Sequence, residues 1–292
     1  MKTIILSFDM EPDIGSWTSE CRGVKCATPE ILAVLREHGV RATFLFIGRE
    51  AQAYPRIVSK AMANGHEVGC HTMYHETVGE PVYDVPVGGF ILAEEIPARL
   101  AKATQVVERI SGARPVSFRA PRLFGSNAMI RVLEDLGYRV DSSFPAYCYG
   151  RDFLPYHPSR SDWSKPGRMR ILELPNFYDR DADEDRQGKG RSRDQWPMLR
   201  LKGAQWFARL CRRMMARVKT PAGDSVLCVY LHPWEFVAMP HSVRSDETTI
   251  TFRPFLYENT GKPALRALDE FLGLMQDDGI RFTTMNALSK EC

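Results

Sequence analysis

Two histidines four residues apart, His71 and His75 in Gly-Cys-His-Thr-Met-Tyr-His-Glu (69–76), are the side chains best suited to chemistry. The first apolar run of the chain ends in an acidic cluster, Phe-Asp-Met-Glu-Pro-Asp (8–13). Neutral imidazole suits Zn2+, and one carboxylate would complete three ligands with a position left open for water. A metal-activated water points to a hydrolase. H-x-x-x-H alone is a weak signal and is more often structural; the nearby acids strengthen it. Asp9 and Glu11 lie two apart, so an extended strand end turns them to one side. One can bind metal while its neighbour handles a proton, and Asp13 belongs to the same cluster.

Hydrolysis at such a site needs a base for the water and an acid for the leaving group. Arg119, in Ser-Phe-Arg-Ala-Pro-Arg (117–122), is costly to bury unless paired. Pairing with Asp9 would hold that carboxylate ionised and oriented. His232, in Val-Tyr-Leu-His-Pro-Trp-Glu (229–235), ends a very apolar run. It reads either as a satisfied core residue or as a general acid that Asp141 orients and raises in pKa. Leu231 and Trp234 could wall a small acyl pocket.

Short apolar runs that must position these residues fall at 3–8, 42–47, 66–70, 116–120, 138–141, 171–175, 226–231 and 280–284. Helical patterns lie between them, near 28–38, 55–64, 94–110, 126–136, 203–218 and 263–276. Thr28-Pro29 reads as an N-cap followed by proline at the first helical position, and Gly39 and Gly137 as helix ends. Alternation over the whole chain predicts an α/β fold: one domain over 1–292 whose mostly parallel sheet is closed or nearly closed as a (β/α) barrel. Asp9, His71, Arg119, Asp141 and His232 then all sit at C-terminal strand ends, the face where barrels build active sites. The histidines follow a strand, so a strand-to-turn geometry is expected for them rather than a helix. Two segments break the alternation, near 76–92 and 179–196; each reads as a solvated loop or as a lid over the site.

The 292 residues, 44% of them hydrophobic, suffice for one substantial core. A net charge of +3 does not imply nucleic acid. Seven scattered cysteines without C-x-x-C read as free thiols of a reducing compartment. The six-residue apolar stretch at the N-terminus is too short for a signal peptide, and no run reaches a membrane span. A cytoplasmic protein is expected. The helix Lys202–Lys219 carries Arg209, Arg212, Arg213 and Arg217 beside an apolar face. It reads as an ordinary barrel helix, or as a peripheral contact with anionic lipid.

Five ordered motifs resemble the polysaccharide deacetylases (NodB homology, carbohydrate esterase family 4). They are Phe8-Asp9-Met10-Glu11-Pro12, His71-Thr72-Met73-Tyr74-His75, Arg119-Ala120-Pro121, Asp141-Ser142-Ser143-Phe144 and Leu231-His232-Pro233. The resemblance runs from about residue 3 to about residue 285. It implies a distorted barrel of seven, or eight, strands. It implies Zn2+, or Co2+, Ni2+ or Mn2+, on Glu11, His71 and His75, with Asp13 as the fallback ligand. Asp9 becomes the base, Arg119 its partner, and His232 the acid tuned by Asp141. Tyr74, Pro121, Arg122, Leu231, Trp234 and Glu235 would line the substrate site, with a backbone N–H near Tyr74 or Arg122 for the oxyanion. Two departures stand out: Met10 and Glu11 replace the usual second aspartate, and the fourth motif has Phe144 where tryptophan is usual. The implied reaction is N-deacetylation of an amino sugar in surface polysaccharide or O-antigen biosynthesis, on a nucleotide-linked, lipid-linked or oligosaccharide substrate. The alternatives are an allantoinase-like amide hydrolase and an inactive glycan-binding relative. The oligomeric state stays open.

Overall fold

The computed structural model describes residues 1–15, 18–81, 91–182, 193–244 and 248–291. Its centre is β1 (Lys2–Met10), buried along all but its first residue. Both faces are covered, which is why the strand reads as a nearly unbroken apolar run. Ile4, Leu6, Phe8 and Met10 join the large core, while Ile5 lies in a second, smaller cluster with Leu45, Val140, Leu172 and Leu174. That second cluster is the barrel interior, and Ser7 and Asp9 follow Ile5 into it at period two.

β7 (Ser225–Leu231) pairs with β1 from Lys2 to Phe8. The opposite edge of β1 is shared: β10 (Arg281–Thr283) takes Thr3–Ile5, and β2 (Thr43–Phe46) takes Ser7–Met10. The sheet continues in parallel through β3 (Glu67–Cys70), β4 (Ser117–Phe118), β5 (Val140–Asp141) and β6 (Leu172–Glu173). A parallel bridge from Asn176 to Cys228 ties the chain beyond β6 to β7 and completes the ring. The result is a distorted seven-stranded barrel into which β10 is wedged at the N-terminal end. There α10 (Met285–Leu288) plugs the floor. Met285 N donates to Thr43 Oγ1 (3.0 Å) and Asn286 N to Glu67 Oε2 (3.0 Å).

All eight predicted strands occur, although β4, β5 and β6 are reduced to two paired residues each. The hairpin of β8 (Ser242–Arg244) and β9 (Thr249–Thr251) was not foreseen, because its strands are largely exposed and carry no buried alternation. Helices α1 (Thr28–Glu37), α3 (Pro55–Ala63), α4 (Ile96–Ser111), α5 (Asn127–Asp135) and α9 (Lys262–Asp277) fall where expected. Gly39 and Gly137 end α1 and α5 at φ +62° and +85°. Thr28 is not an N-cap: it is helical itself (φ −55°), because a π-helical turn, Gly23–Ala27, feeds directly into α1.

The predicted helix 203–218 begins earlier and breaks at Gly203 (φ +80°) into α7 (Met198–Lys202) and α8 (Ala204–Arg217). Its basic face is largely neutralised. Arg212 pairs with Asp278, Arg213 with Asp179 and Asp181, and Arg217 with Asp181. The charge excess that suggested lipid contact is therefore mostly compensated within the fold. No helix among the described residues is long and apolar enough to cross a membrane. Most of the two irregular segments, 82–90 and 183–192, lies outside the described residues. The ends of the second are joined, with Asp179 N donating to Arg193 O (2.8 Å). The cysteines among the described residues are free thiols.

Candidate metal centre

β3 delivers His71 at its C-terminal end, with His71 N donating to Phe46 O (2.8 Å). The chain then turns through two left-handed residues, Thr72 (φ +64°) and His75 (φ +62°). That conformation is uncommon for residues with a Cβ and holds only where surroundings enforce it. Here the first amides of α2 (Gly48–Ala53) enforce it: Gly48 N donates to Thr72 O (2.9 Å) and Arg49 N to Met73 O (3.0 Å). A Cβ at position 48 would stand 2.5 Å from Met73 Sδ, so any side chain there would require the Met73 thioether to shift. The turn brings the two imidazole centroids to 5.2 Å. It is a strand-to-turn geometry, as the sequence implied.

Glu11 follows β1 directly. Its Oε2 is 2.7 Å from His75 Nε2 and 3.6 Å from His71 Nε2. The ligating atoms of the three residues lie within 4.8 Å of one another, and all three residues are buried. Asp13 turns away to accept from Gly23 N (2.9 Å) and Arg22 N (3.1 Å), so Glu11 completes the set. His71 Nδ1 donates to the Arg119 carbonyl (2.7 Å), which leaves the Nε2 lone pair facing Glu11. Burial opposes charge on Glu11. His75, His232 and the hydrogen bonds from both imidazoles outweigh it and hold the carboxyl well below the usual range. Burial lowers His75 despite the pull of Glu11, favouring neutral imidazole. A carboxylate beside two imidazoles fits a Zn2+-like ion, which would take the place of the protons between them.

Arg119 is fully buried, and each of its three nitrogens donates. Nη1 donates to Asp9 Oδ1 (2.6 Å), Nε to Ser142 O (3.0 Å), and Nη2 reaches Ser7 Oγ and Ser142 Oγ (3.0 Å each) and Asn176 Oδ1 (3.3 Å). The clamp fixes Asp9 through Oδ1, while Oδ2 stands 4.0 Å from His232 Nε2. His232 Nε2 is also 3.8 Å from Glu11 Oε1.

A single carboxylate holds His232 from behind. Glu235 Oε1 accepts from His232 Nδ1 (3.1 Å), His232 N (2.9 Å) and Trp196 Nε1 (2.9 Å), and Glu235 Oε2 accepts from Arg200 Nε (2.8 Å). Burial opposes charge on His232, but Glu11, Glu235 and Asp9 prevail and raise its pKa above the ordinary histidine value. Its ring lies between two indoles, edge-on to Trp196 (5.1 Å) and stacked on Trp234 (5.5 Å).

Residues 1–140 match the family model described as polysaccharide deacetylase. Over that stretch the chain is similar to the polysaccharide deacetylases. It is 33% identical over 113 residues to a chitooligosaccharide deacetylase of Azorhizobium caulinodans, covering 38% of this chain and 49% of that one. It is 28% identical over 118 residues to a peptidoglycan-N-acetylglucosamine deacetylase of Bacillus cereus, covering 40% and 35%. The chain thus spans half or less of the length of these relatives. Among solved structures, a Mycobacterium smegmatis protein assigned to the polysaccharide deacetylases aligns over 99% of this chain and 89% of its own (TM-score 0.64, 17% identity). An allantoinase aligns equally well, over 99% and 89% (TM-score 0.62, 14% identity). These two likenesses concern the fold.

Several expectations about the site need correction or refinement. Asp141 does not orient His232; Glu235 does. Strand alternation decides this: Ser142 faces inward onto Arg119, so Asp141 faces outward. There Asp141 Oδ1 accepts from Ser143 Oγ (2.6 Å), and the carboxyl is paired with Glu173. Burial raises Asp141 to about 6, and burial with the neighbouring Asp141 raises Glu173 well above the usual carboxylate range. Glu235, expected at the substrate, is enclosed by His232, Trp196 and Arg200. The Tyr74 N–H is taken by Glu76 Oε2 (2.6 Å), which removes it as an oxyanion donor, although its side chain is 59% exposed beside His75. Leu231 and Trp234 are both buried, and the Trp234 indole N–H is directed at Glu11 Oε1 (3.2 Å). Pro121 opens a 3-10 turn in which Arg122 takes φ +60° and its guanidinium lies 3.5 Å from His75 O. Ser7, Ser142, Asn176 and Trp196 were missed. None carried a readable signal: β5 is too short for its alternation to show Ser142 as the inward residue, and Asn176 and Trp196 come from irregular chain.

Proposed function

We propose that this protein is a metal-dependent hydrolase that removes an N-acetyl group from an amino sugar of a surface glycan or its oligosaccharide precursor. One observation carries the reading: an Arg119-clamped Asp9 and a Glu235-clamped His232 flank the same carboxylate–imidazole triad. Glu11, His71 and His75 would hold the metal, which when bound polarises the amide carbonyl and acidifies water. Asp9, kept in place by Arg119, takes the proton of the attacking water through Oδ2. His232, with a raised pKa, carries a proton on Nε2 for the departing amine. The backbone around Arg122 is the remaining candidate for contact with the oxyanion. The named activities of the chitooligosaccharide and peptidoglycan relatives support an N-acetylated sugar as substrate.

The test is acetate release from N-acetylglucosamine oligomers, run beside allantoin, before and after chelation and Zn2+ return. Metal-dependent acetate release is expected from the oligomers. Turnover of allantoin alone favours a non-sugar amide hydrolase, and failure to bind metal favours an inactive relative. Asp9→Asn should lower kcat/KM by about 10²–10⁴-fold and spare metal binding; near-normal turnover refutes Asp9 as the base.

A further inference from the structure

We infer that Trp234 is a positioning residue for the metal ligand Glu11, and that Asp13 and Gly23 build its seat. The inference rests on the metal-site reading above. The two oxygens of Glu11 have different surroundings. Oε2 faces His75 and His71 at 2.7 and 3.6 Å, whereas Oε1 accepts from Trp234 Nε1 at 3.2 Å. An N–H donor on one oxygen fixes the carboxylate plane and reserves the other for one-point ligation. Partners that hydrogen-bond a metal's ligands in this way tune its affinity.

Trp234 has little freedom to leave. It is 2% exposed, stacked on His232 and edge-on to Trp196 (6.0 Å), with the Arg200 guanidinium 5.8 Å from its ring. Its backbone presses on Gly23 so closely that a Cβ there would lie 2.2 Å from Trp234 N and 2.4 Å from Trp234 Cα. Gly23 N is in turn held by Asp13 Oδ1 at 2.9 Å. The three acids of Asp-Met-Glu-Pro-Asp (9–13) thus divide their work. Asp9 takes the guanidinium, Glu11 the imidazoles, and Asp13 the turn on which the indole sits.

The experiment measures Zn2+ affinity of wild type and Trp234→Phe by competition with a chromophoric chelator, together with the visible spectrum of the Co2+ forms. Phenylalanine keeps the stacking and removes the N–H. Affinity is expected to fall by about 10–100-fold, with a changed Co2+ spectrum. Wild-type affinity within twofold and an unchanged spectrum overturn the inference and leave the metal site standing. If wild type itself takes up neither ion, the metal-site reading falls and this inference with it. A measurement on the wild-type protein covers the case of a variant that does not fold. Of the five tryptophans, the Trp234 indole 15N–1H peak is assigned by elimination with Trp→Phe changes at the other four. It is expected to shift on Zn2+ addition, and a peak that stays in place while metal binds overturns the inference.

Discussion

Glu235→Gln separates orientation of His232 from mere packing around it. In the wild type, Oε1 of Glu235 lies 3.1 Å from His232 Nδ1, and Oε2 lies 2.8 Å from Arg200 Nε. At that separation two unit charges attract by about 5 kcal/mol at an effective dielectric of about 20, and by a little over 1 kcal/mol in water. A share of about 1.4–3 kcal/mol corresponds to roughly 1–2 pH units. The sign follows from the role of the group. His232 must be protonated to act as an acid, so kcat/KM falls as pH rises past its pKa. Removing the Glu235 charge lowers that pKa, and the alkaline limb should move roughly 1–2 units toward acid. A glutamine that turns its NH2 toward Nδ1 would also impose the wrong tautomer and cut kcat further. Glutamine keeps the volume and one acceptor oxygen, and Arg200 still donates to the carbonyls of Glu258 and Phe255 (2.6 Å each), so the fold should persist at reduced stability. Alanine should cost more, about 3–5 kcal/mol, because it leaves the buried Arg200 with no side-chain acceptor at all and opens a cavity beside it. The assay is acetate release across pH, with thermal denaturation as the folding control. An alkaline limb within about 0.3 unit of wild type, in a folded Glu235→Gln protein, would refute the reasoning.

Two further perturbations test the electrostatics away from the centre. Asp141 titrates near 6 when folded, above its ordinary value, so its contribution is complete at low pH and is lost as pH rises through 6. Asp141→Asn should therefore gain stability over wild type between about pH 4 and 7, by up to about 3 kcal/mol. It should leave the alkaline limb of activity in place; a limb that moves would return Asp141 to His232. His66 goes the other way. Burial, with Arg41 nearby, depresses it to about 4, so the folded state favours the neutral ring, whose Nδ1 accepts from Ala42 N (3.2 Å). Stability is then complete above about 6.5 and falls as pH drops toward 4, by about 2–3 kcal/mol. Urea denaturation of His66→Gln should show that acid slope reduced; an unchanged slope assigns it to other groups.

The sequence by itself determined the order of strands and helices, because buried β-strands and amphipathic helices write their periods into the chain. It also determined the chemically competent residues, because imidazole, carboxylate and guanidinium at strand ends are costly unless used. It placed Asp9, Glu11, His71, His75, Arg119 and His232 together through one inference, that C-terminal strand ends share a face. Tertiary structure alone decided which side chains point inward. β5 is two paired residues long, too short for alternation to be read, so Asp141 looked inward when Ser142 is the inward residue. The sequence preferred Glu11 with Asp13 as the fallback, and the fold shows why the fallback is unused: a turn spends Asp13 on Gly23 and Arg22. Only the fold brought Trp196 to His232 from an irregular segment 36 positions upstream. Local pattern carries information about which face a residue shares with its neighbours. Contacts across long stretches of chain have no period, and they are set by how the elements close on one another.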